Sequence, residues 1–392
     1  MDHRAHWVSN RLGLCVGHVW SEQVFVIMDD LMKCAVPVLA SALVCMAAPA
    51  WAGDSTTDAL IADAGVEALE GCGVFSSPAA MEARADEWRV AIDALAAADP
   101  DLVLGWITGT REPPTLAREE SRVQLECMSG ASGADAAKEG STLRLDYGDG
   151  EPKNAATMRA WARRVDRSAR WRGRVTDHFT RSHYRSAAAQ AHIWHRKFTF
   201  TKKRSFNRIS EYAAEACGLT AGHTWRPGST RHERCWFKKL TPERRQIEIL
   251  GASSAPGLSR HHWGTDYDIF GLNPRAFLDG KALSDEYAWM RAHASEHGFF
   301  QTYFGPTEEQ EHTYMEERWH WSYYPIAHAL LGWARAHQAD LESKLFQVWD
   351  SYEARWNEPH QVRPFFSHVR THWRGYVLTV GEPGGALEHS HD

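Results

Sequence analysis

The chain has 392 residues, 43% of them hydrophobic, and a formal net charge of −6. That length suits one large domain or two ordinary ones, and the acidic balance argues against a general nucleic-acid binder. Eighteen tryptophans and 22 histidines are many; tryptophan fills cores and lines sugar or peptide grooves, and a lone histidine in such a chain carries little information.

In chain order, the first feature is "MKCAVPVLASALVCMAAPAWAGDS". It opens on Met32 and Lys33, and its apolar run ends in Ala50, Trp51 and Ala52 before Gly53. This predicts a secretory signal peptide over 32–52, cleaved after Ala52. The run is too short to span a bilayer comfortably. The mature chain is therefore expected to be exported, periplasmic or secreted, without stable membrane insertion. Residues 1–31 do not look like an n-region and read as an upstream mis-start. Val44 before Cys45 argues against a lipid anchor. Four of the seven cysteines follow the cut: Cys72, Cys127, Cys217 and Cys235. An even number in an exported chain favours disulfides, and sequence neighbours suggest Cys72–Cys127 and Cys217–Cys235. They contain no C-x-x-C pair, so a structural zinc is not expected on them.

Residues 53–150 form a helical, alanine-rich N-terminal region of unknown role. Asp99 and Pro100 should close its central helix, because a proline disfavours the helical conformation in the residue before it. "SGASGADAAKEGS" (129–141) reads as an exposed loop, with a boundary near residue 150 and a second domain over 151–380. Met158, Trp161, Val165 and Ala169 recur at helical spacing. "GRVTDHFTRSHYRS" is a strand candidate ending in a turn, and "SAAAQAHIWHRKF" is again helix-like. The basic run from "RKFTFTKKRSF" to "RHERCWFKKLTPERR" reads as a solvated insertion closed by Cys217–Cys235; attraction to an anionic envelope polymer is the sharper alternative. The tail 381–392 should be disordered.

The chemistry sits in "GLSRHHWGTDYDIFGLNP" (257–274) and "MEERWHWSYYP" (315–325). A catalytic zinc needs three protein ligands and one open position. His261 and Asp268 flank a glycine turn that lets the chain bend back, and His320 is the candidate third ligand. In a strand, alternate side chains point oppositely. His320 would then face the site while Trp319 and Trp321 pack behind it. Glu317 can join His320 only if the chain turns at Arg318. Trp263, Trp319 and Trp321 are expected to pack the sheet before they wall a cleft.

Together with "SHYRSAAAQ" (182–190), these residues resemble zinc D-alanyl-D-alanine carboxypeptidases of the VanY type. Their fold group also holds lysostaphin-like endopeptidases and the sonic hedgehog N-terminal domain. The family pattern is S-x-H, two residues, G-x-A-x-D, then E-x-W-H-W, preceded by Y-R-S with a glutamine four residues after the serine. Here these are Ser259, His261, Gly264, Asp268, Glu317, Trp319, His320, Trp321, Tyr184, Arg185, Ser186 and Gln190. The resemblance covers roughly residues 155–335. It implies that His261, Asp268 and His320 bind Zn2+ and that Glu317 is the general base for a metal-activated water. Arg185 would hold a substrate carboxylate or the oxyanion, and Ser259, Gln190 and Ser186 would position the peptide. Asp266 stands where the family has alanine. It either orients a ligand or competes for the metal, and His262 is the non-ligand of its pair.

The resemblance implies an α+β fold, a mainly antiparallel sheet bearing the zinc site with surrounding helices, plus the helical N-terminal region. The implied function is zinc-dependent removal of the terminal D-alanine from peptidoglycan stem peptides. A peptidoglycan cross-link endopeptidase is the first alternative, and a non-enzymatic zinc-containing binding domain the second.

Overall fold

A computed structural model of the chain describes residues 55–67, 69, 75, 77–128, 180–307, 312–356 and 364–378. The upstream segment 1–31, the signal segment, Cys72, the boundary near residue 150, the helix expected around Met158 to Ala169, and the tail lie outside the described residues.

Helices α1 (Ser55–Asp63), α2 (Pro78–Ala98), α3 (Pro100–Thr108) and α4 (Thr115–Met128) come first. The local chemistry sets their ends. Ser77 Oγ accepts the amide of Ala80, and Pro78 occupies the first turn of α2, where its missing N–H costs nothing. Asp99 is extended, with φ −158°. It ends α2, and its carboxylate accepts the amide of Asp101 to begin α3. The stop expected at Asp99 and Pro100 is therefore present, and the same residue starts the next helix.

Strand β1 (Thr180–Ser182) leads into helix α5 (Ala187–Phe198), which Ser186 caps. The basic insertion follows as β2 (Phe206–Arg208), α6 (Glu211–Cys217), β3 (Thr224–Trp225), α7 (Thr230–Lys238) and α8 (Pro242–Leu250). A disulfide joins Cys217 of α6 to Cys235 of α7, as expected. Cys127 is also disulfide-bonded. Then come β4 (Asp266–Ile269), α9 (Ser284–His293), β5 (Phe299–Gln301) and β6 (His320–Tyr323). The helices α10 (Tyr324–Ala336), α11 (Gln338–Arg355) and α12 (Ser367–Val377) end the described chain.

The site-bearing sheet has four antiparallel strands in the order β1-β4-β6-β5. The sequence reading expected a mainly antiparallel sheet. The sheet is antiparallel but small, and helices supply most of the described residues. Strands of three or four residues present too few side chains to close a core by themselves, so helices complete it.

The N-terminal helices belong to that same core. Trp88, Trp106 and Ile107 are buried in one cluster with Trp263, Tyr267, Tyr323 and the apolar face of α10. Polar ties lock the contact. Ser121 Oγ bonds the Tyr267 hydroxyl at 2.8 Å and the carbonyl of Gly264 at 3.1 Å. The Tyr323 hydroxyl donates to Glu120 at 2.9 Å, and Glu120 is held in turn by Arg84 and the Trp88 indole. Burying a carboxylate costs several kcal/mol unless it is paired and hydrogen-bonded, and Glu120 is both.

Candidate metal centre

Register brings the site together. On β4 and β6, Asp268 lies opposite His320 and Asp266 opposite Ser322. Alternation then puts Asp266, Asp268, His320 and Ser322 on one face. Tyr267 and Trp321 fall on the other, where Tyr267 packs on Phe299. The turn Arg260–Trp263, closed by Gly264 at φ 74°, returns His261 over the first face. The ring centroids of His261 and His320 are 4.7 Å apart. One ligand-type atom from each of His261, Asp268 and His320 falls within 4.8 Å of the others, and all three residues are buried. Two imidazoles and a carboxylate are a donor set that suits zinc with one position left open.

The outer nitrogens decide which atoms are available. His261 Nδ1 is 3.2 Å from the backbone carbonyl of Asp266. A carbonyl only accepts, so Nδ1 carries the proton and Nε2 faces Asp268 Oδ2 at 3.4 Å. His320 is held the other way round. Its Nε2 is 3.0 Å from Asp266 Oδ1, so Nε2 donates, and Nδ1 faces Asp268 Oδ1 at 3.2 Å. Burial would push the acidity of these groups against charge, but their mutual contacts win. Although burial raises Asp266, Arg260 and His320 hold it down at about 2. Asp268 is held below the ordinary carboxylate range by His261 and His320. Burial lowers His320, yet its bonds to Asp266 and Asp268 lift it to about 10. The carboxylates thus favour a cation on this face, whether proton or metal.

Glu317 reaches the same face through the turn expected at Arg318. The amide of His320 donates to the carbonyl of Glu317 at 3.0 Å, and Glu317 Oε2 comes within 3.6 Å of His320 Nδ1. Burial pushes its carboxyl up to about 7, partly opposed by His320, with Asp268 adding to the rise and Lys197 and Arg185 opposing it. A carboxyl that titrates near neutrality is poised for general acid–base work.

Arg185 is tied to the ligand turn, since its amide donates to the carbonyl of His261 at 3.0 Å. Its Nη1 donates to Gln190 Oε1 at 2.7 Å. Burial lowers its pKa, while Asp268 and Glu317 favour its charge. Gln190 is fully buried, and its Nε2 donates to the carbonyl of Ser254. Both ends of that amide are therefore used inside the protein, aiming Arg185. Ser186 caps α5 by accepting the amide of Ala189. Ser259 is buried at the start of the ligand turn, and its carbonyl accepts the amide of His262. His262 itself donates Nδ1–H to the carbonyl of Arg185 and accepts the amide of Gly257 at Nε2. With both nitrogens committed, it has none for a metal. Trp263, Trp319 and Trp321 are all buried, Trp263 bonded to α3 through the Ile107 carbonyl and Trp319 set against the Phe277 ring.

Several residues of the site had no sequence signal. The buried Tyr303 ring lies 4.7 Å from that of His320 and 4.7 Å from that of Tyr314, whose hydroxyl bonds Ser254 Oγ. Lys197 is buried, bonded to Asn207 Oδ1 and Ser253 Oγ, and acts electrostatically on Glu317. Arg260 stacks 3.6 Å from the Trp263 ring centroid. Tyr303 and Lys197 reach the site through packing between separate elements, whereas Arg260 lies in the His261 turn itself and only its bond to Ser322 spans distant elements.

Residues 167–326, less than half of the chain, match the VanY family model, described as D-alanyl-D-alanine carboxypeptidase. No curated protein matches the chain significantly. Among solved structures, the chain is similar to LdcB, an LD-carboxypeptidase, at 19% identity and a TM-score of 0.20, over 47% of this chain and 72% of that one. It is similar to VanYB in complex with D-alanine-D-alanine at 19% identity and a TM-score of 0.21, over 46% and 77%. It is also similar to a vancomycin resistance D,D-pentapeptidase VanY variant in complex with Zn(II), at 22% identity and a TM-score of 0.22, over 48% and 82%. Through its residues 167–326, which hold all the site residues named above, the chain matches the VanY D-alanyl-D-alanine carboxypeptidase family.

Proposed function

We propose that this chain is an exported zinc metallopeptidase that removes the terminal D-alanine from peptidoglycan stem peptides. The observation that carries the reading is the convergence of His261, Asp268 and His320 beside Glu317 on one buried sheet face. His261 would offer Nε2, His320 Nδ1 and Asp268 a carboxylate oxygen to zinc. When bound, zinc supplies a Lewis acid for the scissile carbonyl and lowers the pKa of water. Glu317 takes a proton from the attacking water and returns it to the departing D-alanine amine, so water is added across one peptide bond. Arg185 presents a planar fork suited to the free carboxylate of the last residue. Gln190 fixes that fork, and Ser186 and Ser259 shape the backbone beside it. Export rests on the 32–52 segment; among the described residues no helix is long and apolar enough to cross a membrane.

The purified mature chain should release free D-alanine from a stem pentapeptide, and a chelator should stop it. Cleavage of cross-linked dimers without D-alanine release would replace this reading by an endopeptidase. Zinc binding with neither activity would make the chain a binding domain.

A further inference from the structure

Asp266 is the one position where the ligand motif departs from the family pattern. It does not face Asp268 and His261 as a fourth ligand. Its backbone carbonyl accepts Nδ1–H of His261, and its carboxylate accepts Nε2–H of His320. One residue therefore holds the outer nitrogen of both histidines. The carbonyl contact could come from any residue, but the carboxylate contact requires this aspartate.

The carboxylate is itself pinned. Oδ2 accepts Thr265 Oγ1 at 2.7 Å and Ser322 Oγ at 2.9 Å, and Oδ1 is 3.4 Å from Thr302 Oγ1. Ser322 in turn accepts Nη2 of Arg260 at 2.9 Å. Arg260 Nε lies 3.5 Å from Asp266 Oδ1 but makes no hydrogen bond to it. This is a charge contact, and it balances a carboxylate that no water reaches. Arg260 is buried on the Trp263 ring. The group facing His320 is thus a carboxylate of fixed position, not a mobile neighbour.

We infer that Asp266, balanced by Arg260, is a positioning residue that locks His320 with its proton on Nε2 and so reserves Nδ1 for the metal. This rests on the zinc reading above for its consequence, but not for its geometry. A carboxylate behind a ligating imidazole orients the ring and raises its basicity, and losing such a partner lowers metal affinity 10–100-fold.

The test has two readouts besides turnover. In protein labelled with 15N-histidine, His320 should show a slowly exchanging Nε2–H resonance both metal-free and zinc-loaded, and Asp266→Ala should abolish it. Zinc affinity, from competition with a chromophoric chelator, should fall 10–100-fold in Asp266→Ala. Because that variant leaves Arg260 buried without its counter-charge, Asp266→Ala combined with Arg260→Met is measured beside it and beside Arg260→Met alone. A double variant that unfolds cooperatively yet binds zinc within twofold of the parent overturns the inference. So does a parent protein in which His320 has no protected Nε2–H. If the parent binds no zinc, the metal reading falls, and the resonance in metal-free protein still decides the role of Asp266.

Discussion

Trp106 and Trp263 are cross-bonded. The indole of Trp106 donates to the carbonyl of Trp263 at 2.8 Å, and the indole of Trp263 donates to the carbonyl of Ile107 at 3.1 Å. One residue belongs to the N-terminal helices and the other to the ligand turn, and Trp263 also carries Arg260 on its face. Beside this pair, Gly109 at φ 68° abuts His262, where an added Cβ would lie 2.5 Å from the ring. The N-terminal helices thus pack directly against the turn that carries His261 and His262. Trp106→Ala should cost about 3–5 kcal/mol of stability and weaken zinc binding, read by urea unfolding and chelator competition. Unchanged zinc affinity in a destabilised variant would confine the helices to a packing role.

Glu317→Gln should keep the fold and the zinc while turnover of a stem pentapeptide falls about 10²–10⁴-fold. The carboxyl works as a base only when ionised, so activity should fall as the pH drops through its pKa. Burial sets that value up to about 7, and a bound cation moves it down. The acid limb of the pH–rate profile should therefore lie at or below neutrality. Full activity in Glu317→Gln would remove it from the mechanism.

Arg185→Lys keeps the charge but loses the fork, and with it two parallel bonds to a carboxylate. KM for the pentapeptide should rise roughly tenfold or more, on the scale of one charge-assisted hydrogen bond. Gln190→Leu removes the amide that aims Arg185 and should raise KM in the same direction without touching zinc affinity. A fall in kcat with KM unchanged in Arg185→Lys would assign the arginine to the oxyanion instead.

His262 gives the fold an acid sensitivity. Burial, with Arg185 and His261 nearby, pushes it down to about 3, despite its bond to the Arg185 carbonyl. An unfolded histidine titrates near 6.5, so below that pH the unfolded chain takes up a proton that the folded chain refuses. The stability contributed is full above about 6.5 and is lost progressively as the pH falls toward 3. The loss should be roughly 2 kcal/mol between about pH 7 and about pH 5. The test compares the pH dependence of urea unfolding in metal-free protein with that of His262→Gln. The difference between the two should show this loss, and parallel profiles would rule it out.

By itself, the sequence determined what short-range chemistry decides. The helix stop at Asp99 was legible because Pro100 disfavours the helical conformation in the residue before it. The two-residue spacing of Asp266 and Asp268 places them on one strand face, and the need for a turn at Arg318 follows from where Glu317 stands. The order of the motif residues was legible for the same reason. The small size of the sheet was not, because strand length depends on partners and not on local pattern. Only the tertiary structure decided that Gln190 serves Arg185, that His262 has both nitrogens engaged, and that the N-terminal helices share the core of the site. It also decided the place of Asp266. Sequence spacing left that residue either competing for a metal or orienting a ligand. The β4–β6 register, the buried Arg260 and the His320 ring turned its carboxylate toward Nε2. The register and the His320 contact join segments more than fifty residues apart, where no local propensity reaches.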